Sequence, residues 1–191
     1  MLSYNDLKEG AMFVYEGAPY EVIHFAFLRM QQRKPVAQTS IKNLITGKIL
    51  ERNFHMNESF EEVEIEKFPV KYLYHNRDEY WFCEAKDPSK RFSLKEDIAG
   101  TAAQFTKQNT EVLALKWNEK IINVIWPIKA DLKVTETPPG EKGNSAGNTT
   151  KAATLETGAI VQVPMFVNQG DIIRLNTSTG AYVERVEKGK E

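Results

Sequence analysis

V-A-Q-T-S-I-K-N-L-I-T-G-K-I-L-E-R-N-F-H, Val36 to His55, is the stretch whose reading decides the fold class. Its halves, 36–43 and 48–55, are short runs of alternating apolar or β-branched residues, the pattern of half-buried strands. Thr46-Gly47-Lys48 between them offers a glycine where a hairpin needs positive φ. The pattern extends upstream to strands at 11–16 and 19–28, with Ala18-Pro19 fixing φ at the start of the second. Downstream it returns at 68–74, 79–84, 91–94, 112–117, 121–126, 131–136, 159–164, 171–176 and 181–186, with Thr179-Gly180 marking the last hairpin.

Two segments interrupt the pattern. Ile98, Ala102, Ala103 and Phe105 are spaced for one short helix within Lys95–Gln108, although Gly100 lies inside it. Thr137–Thr150 is rich in Gly, Pro, Asn, Ser and Thr and reads as a surface or contact loop between strands 131–136 and 159–164. The expectation is an all-β protein of three small β-barrels, roughly sixty residues each, a size at which a barrel is marginal alone. Residues 1–65 form an SH3-like barrel. The acidic run near Glu62–Lys67 marks a boundary, 66–127 follow the strand and helix order of an OB barrel, and 128–191 form a second OB-type barrel. With no Pro/Gly-rich linker near Ile128, the second and third blocks should pack directly together.

Composition narrows the function classes. Hydrophobic residues at 41% and charged residues at 27% suit packed cores and exclude disorder. Neither a leader pattern nor a membrane-length apolar run is present, and Cys83 alone can form neither an intramolecular disulfide nor a cysteine zinc cluster. A cytoplasmic protein without membrane contact is expected. The net charge of -1 is unevenly spread: Arg29, Arg33, Lys34, Lys42, Lys48 and Arg52 stand in one window against Glu51 alone. A basic hairpin in a neutral protein fits a shaped RNA partner, or else simply a solvated ladder.

Catalytic chemistry finds no foothold. There is no phosphate loop, dinucleotide fingerprint, zinc helix motif or serine elbow. His24, His55 and His75 read as strand histidines without acidic partners, Cys83 as a packing residue, and Glu61, Glu62 and Glu64 as a solvated face. No metal and no cofactor are implied. Trp81, Trp117 and Trp126, with Tyr72, Tyr74 and Tyr80, read as barrel core before base-stacking platforms.

One window is specific enough to suggest a family. In K-A-A-T-L-E-T-G-A-I-V-Q-V-P-M-F-V-N-Q-G, Lys151 to Gly170, the residues Lys151, Ala153, Gly158, Val161, Val163, Pro164, Val167 and Gly170 stand at the spacings of a translation factor signature. The chain resembles the bacterial elongation factor P family. That resemblance implies a KOW-like first domain and three barrels in an L-shaped arrangement similar to a transfer RNA. It also implies a monomeric, non-enzymatic factor bound to the 70S ribosome, and hence to ribosomal RNA and proteins.

Aligned without gaps, Arg29-Met30-Gln31-Gln32-Arg33-Lys34-Pro35 lies over the tip loop that most members of the family write K-P-G-K-G. Gln32 takes the place of the usually modified lysine, while Gln31 and Arg33 replace two glycines. By resemblance this loop contacts the acceptor end of peptidyl-tRNA, with tRNA-Pro as the expected partner. Gln32 retains a donor and an acceptor, and the glycine-free tip loses less freedom on docking. Gly143-Asn144-Ser145-Ala146 lies where the family writes G-D-T-A, a loop implied to approach messenger RNA in the exit site. The implied function is stimulation of peptide-bond formation on stalled ribosomes, above all at consecutive prolines. The alternative is a general single-stranded RNA-binding or RNA-chaperone protein with OB-folds.

Overall fold

The computed structural model describes residues 1–28, 36–139 and 150–189. Strands dominate it, as expected. Contacts divide the chain into two compact units, Met1–Phe68 with Ala114–Val124, and Pro69–Leu113 with Ile125–Glu191.

The first unit opens with β1 (Leu2–Ser3) and a 3-10 turn at Tyr4–Asp6, and continues with β2 (Met12–Tyr15), β3 (Ala18–Leu28), β4 (Val36–Asn43), β5 (Ile49–His55) and β6 (Ser59–Phe60). The longer four form an antiparallel sheet in the order β2-β3-β4-β5, and β1 pairs with β6. Backbone bonds between Val14 and Glu61 and between Val63 and Met12 fasten the segment after β6 to β2. The apolar faces enclose Leu7, Phe13, Val22, Ala37, Ile41 and Phe54, all at 2% exposure or less. Phe13, Phe54 and Phe60 meet edge to face with centroids 4.8–5.8 Å apart, the geometry that aromatic quadrupoles favour. Each ring so buried stabilises the fold by about 1.5–3 kcal/mol relative to exposure.

A five-stranded sheet follows in the order β11-β10-β7-β8-β9. Its strands are β7 (Glu66–Asn76), β8 (Glu79–Glu84), β9 (Arg91–Lys95), β10 (Glu111–Trp117) and β11 (Lys120–Ile125). The single helix expected within 95–108 forms as two pieces, α1 (Glu96–Ala99) and a 3-10 segment at Thr101–Phe105. Gly100 between them sits at φ +73°, and its N–H closes the first piece on the Glu96 carbonyl. The break leaves the Ala99 carbonyl to accept the Trp126 indole N–H at 2.8 Å. Trp126 in turn packs on Tyr72, Tyr80 and Phe82 at 5.6–6.3 Å. Tyr72 and Tyr80 are therefore core residues with Trp126 half-buried against them, and burial, with the neighbouring Tyr80, pushes the Tyr72 phenol up to about 12.

The last sheet runs β14-β13-β12-β15-β16, built from β12 (Lys129–Glu136), β13 (Thr150–Leu155), β14 (Ile160–Pro164), β15 (Ile172–Asn176) and β16 (Ala181–Glu187). β13 is a strand that the sequence pattern does not announce, lying between the expected loop and the expected strand 159–164. Phe105 joins Leu132, Val134, Leu155, Val163 and Leu175 in one core cluster, so the expected packing between the second and third blocks is realised through the end of the 3-10 segment. Gly180 lies directly on that ring, since a Cβ there would meet Phe105 Cζ at 2.9 Å. Outside, Arg174 clasps Asp131 through two bonds of 2.7 and 2.8 Å and reaches Glu184 at 2.7 Å across the β12-β15-β16 register. The guanidinium holds the Asp131 carboxyl below its usual range.

Asp171, 1% exposed, ties the end of the chain to this core. It accepts hydrogen bonds from the N–H groups of Asn168 at 2.9 Å and Gly189 at 2.7 Å, and from the Arg185 guanidinium at 3.2 Å. Burial pushes its pKa up, but the two N–H bonds and Arg185 outweigh it and hold the carboxyl below the usual range. The sign follows: this stabilisation is complete above the unfolded pKa of about 3.9 and is lost as pH falls through the lower folded value. Asp171→Asn should cost about 2–3 kcal/mol at neutral pH and flatten the acid limb of the stability curve, checked by urea unfolding from neutral pH to pH 3. An unchanged acid limb would show that this carboxylate does not govern it.

Candidate functional site

The candidate site is the end of the β3-β4-β5 ladder, and main-chain register builds it. Tyr20 to Leu28 pair with Asn43 to Val36, and Val36 to Lys42 pair with His55 to Ile49. A bulge between Val22 and His24 leaves Ile23 as the extra residue. Val22 stays opposite buried Ile41, while His24 lands opposite Ser40 on the outward face. Downstream of the bulge the outward face is a set of cross-strand rows: His24, Ser40 and Glu51, then Ala26, Gln38 and Asn53, and beyond them Val36 pairs with His55. The first two rows, with Thr39 and Arg52, line an open concavity of about 480 Å³. His24 also has a partner the sequence did not suggest, with Nδ1 3.3 Å from Glu9 Oε1.

The other end of the β4-β5 hairpin is clamped. The Asn43 side-chain carbonyl accepts the N–H groups of Ile45 and Thr46 at 2.9 Å, and Gly47 closes the turn at φ +72°. Asn123 donates to the Leu44 and Ile45 carbonyls at 3.3 and 3.0 Å. Leu44 buries its side chain with Leu115 and Ile122, against Met12, Ile45, Ile65 and Trp117. Trp117 is thereby a packing residue, as expected.

The tip residues Arg29, Met30, Gln31, Gln32, Arg33, Lys34 and Pro35 lie outside the described residues, as do Gly143, Asn144, Ser145 and Ala146. The structure shows where each segment begins and ends. The first leaves β3 at Leu28 and re-enters β4 at Val36, which are register partners. Of the six cations in the basic window, Lys42, Lys48 and Arg52 are described, and all three are exposed. Arg52 turns back to its neighbour's carbonyl, Glu51 O, at 3.4 Å.

The second segment leaves after β12 and returns at β13. Its base is fastened by Thr137 Oγ1 on the Ala152 carbonyl at 2.9 Å and by Lys151 Nζ on the Pro138 carbonyl at 2.6 Å. Lys151 is 8% exposed, unusual for an ammonium, and its pairing opposite Val163 aims it at that base. The other signature residues are structural as well. Ala153, Val161, Val163 and Val167 are buried, Pro164 ends β14, and Gly158 and Gly170 occupy positive φ at +85° and +90°.

Two family descriptions match the chain: "Elongation factor P (EF-P) KOW-like domain" over residues 3–60 and "Elongation factor P, C-terminal" over residues 130–185. Proteins named "Elongation factor P" are similar along nearly the whole chain. That of Carboxydothermus hydrogenoformans is 36% identical over 97% of this chain and 100% of its own, and that of Alkaliphilus metalliredigens is 39% identical over the same shares. This chain belongs to the elongation factor P family. It is thus a translation elongation factor by kinship. A solved structure titled as eukaryotic translation initiation factor 5A from Methanococcus jannaschii is 15% identical with a TM-score of 0.45, covering 65% of this chain and 94% of that one.

Within the elongation factor P signature, Lys151 reads as a structural cation that holds a loop base. Lys151→Ala should therefore destabilise the protein by about 2–3 kcal/mol, measured by chemical denaturation, because it removes both the bond to Pro138 and a buried aliphatic stem. A variant as stable as the parent would assign the lysine to binding instead.

Proposed function

We propose that this protein binds ribosomes stalled during peptide-bond formation, beside the peptidyl-tRNA, and restores productive geometry at consecutive prolines. The observation that carries this reading is the full-length kinship, 97% of this chain against 100% of a relative named Elongation factor P. The ladder geometry is compatible with it, because the β3-β4 pairing persists to Leu28 and Val36, the residues that flank 29–35. In this reading the three blocks 1–65, 66–127 and 128–191 act as barrels in a tRNA-like outline, and the protein works as a cytoplasmic monomer.

Each segment has a chemical task. Gln32, unmodified, offers an amide donor and acceptor to the acceptor end of the tRNA, and Arg29, Arg33 and Lys34 meet its phosphates. Gly143–Ala146 approaches messenger RNA, where asparagine in place of aspartate removes a repulsive charge. Proline is a poor, rigid nucleophile, so holding the peptidyl-tRNA in place lowers the entropic cost of alignment. The ribosome performs the chemistry, and no catalytic group of this chain enters the reaction.

Addition of the protein should speed translation of a Pro-Pro-Pro message by purified ribosomes and leave a proline-free message unchanged. Gln32→Ala should lose about 2- to 10-fold of that stimulation, the range of one or two hydrogen bonds. Equal rates with and without the protein would reject the reading. An intact mass from native cells should match the unmodified chain, and an adduct on Gln32, Arg33 or Lys34 would overturn the unmodified tip.

A further inference from the structure

The outer face of β7-β8-β9 carries an ordered pattern that the proposed function does not use. Register pairs place Lys71, Cys83 and Arg91 in one row, Tyr74, Trp81 and Ser93 in the next, and Asn76, Glu79 and Lys95 in the third, with Cys83 buried beneath its neighbours and Trp81 half-buried. Successive rows stand about 6.8 Å apart along the strands. The opposite face holds Tyr72, Tyr80, Phe82 and Leu94, all buried. A bulge between Tyr72 and Tyr74 makes this division possible, turning Tyr74 out where plain alternation would turn it in.

Tyr74 and Trp81 stack on each other outside the core, with centroids 6.2 Å apart and planes within 20°. Tyr74 is 37% exposed. The cations on either side are uncommitted. Lys90, Lys107, Lys116, Arg174 and Arg185 each hold a carboxylate. Lys71, Arg91 and Lys95 are exposed and join no salt bridge among the described residues. Glu79, opposite Lys95, is the one acidic residue in the three rows. A flat aromatic row with Lys71 and Arg91 on one side and Lys95 on the other is complementary to a chain of bases on a phosphate backbone. It lies on the first three strands of the central block, and so includes the second and third strands, on which OB barrels take oligonucleotides.

We infer that this face binds single-stranded RNA, with bases on Tyr74 and Trp81 and phosphates on Lys71, Arg91 and Lys95. Stacking on Tyr74 and Trp81 makes the site tolerant of sequence, and the three cations make it sensitive to salt. A duplex, whose bases already stack on one another, cannot use the aromatic row.

The test uses the full chain and a fluorescein-labelled oligouridylate of about twelve nucleotides, followed by anisotropy at low salt. Trp81→Leu should weaken binding at least about tenfold, whereas Trp81→Phe, which keeps a ring, should stay within about threefold. Replacing both Lys71 and Lys95 by Gln should reduce the slope of log affinity against log salt by about 1.4. A duplex of equal length should bind more weakly than the single strand. Urea midpoints of the two Trp81 variants separate lost stacking from lost folding, and the lysine variants, altered only at exposed positions, supply an independent reading. Three results would overturn the inference: no oligouridylate binding, equal binding by Trp81→Leu and Trp81→Phe, or equal affinity for the duplex. A face made for a protein partner would give the first. No ribosome enters the measurement, so its failure and a failed polyproline assay are independent events.

Discussion

Main-chain pairing between β3, β4 and β5 is the constraint from which the site follows. Eight residue pairs join β3 to β4 and seven join β4 to β5, with one bulge at Ile23. A slip of one residue would exchange buried Ala37, Thr39 and Ile41 for Gln38, Ser40 and Lys42, so burial of the apolar face locks the register. Because pairing continues to Leu28 and Val36, the segment 29–35 departs and returns at points about 5 Å apart. Its base is fixed by the sheet, whatever its own residues are.

The same economy recurs elsewhere. Asn123, Lys151 and Asp171 each satisfy backbone groups at a turn or a loop base through side chains that are themselves wholly or partly buried. In small β units, where apolar cores are limited, such bonds matter beyond their net strength of about 1 kcal/mol, because a missing partner leaves a buried polar group unpaired. Asn123 also explains the unit boundary. Residues 114–124 belong by sequence order to the central block, yet Asn123, Leu115 and Ile122 engage the Leu44-Ile45 turn and pack with the first unit.

Local pattern made most strands legible. The segment 36–43 coincides with β4 and 79–84 with β8, because alternation and flanking turn residues agree there. β13 escaped because K-A-A-T-L has two alanines and little β propensity, and because it follows a glycine- and asparagine-rich stretch. β1 and β6, two residues each, are too short to show a period. Gly100 was visible as an interruption, but whether it would bend or divide the helix depended on Trp126 and Phe105, which claim opposite sides of the break. At the sites, sequence neither separated Tyr74 and Trp81 from the core aromatics nor joined His24 to Glu9. Both depend on bulges and on pairing between distant segments, which local periodicity does not encode.

The central claim is that the β3-β4 ladder carries position 32 to the acceptor end of a ribosome-bound tRNA. A photoreactive amino acid installed at Gln32 and irradiated on ribosomes stalled at consecutive prolines tests it directly. The account predicts a crosslink to the terminal nucleotides of the peptidyl-tRNA, mapped by primer extension or mass spectrometry. Crosslinks confined to sites remote from that terminus, with the factor bound, would contradict it.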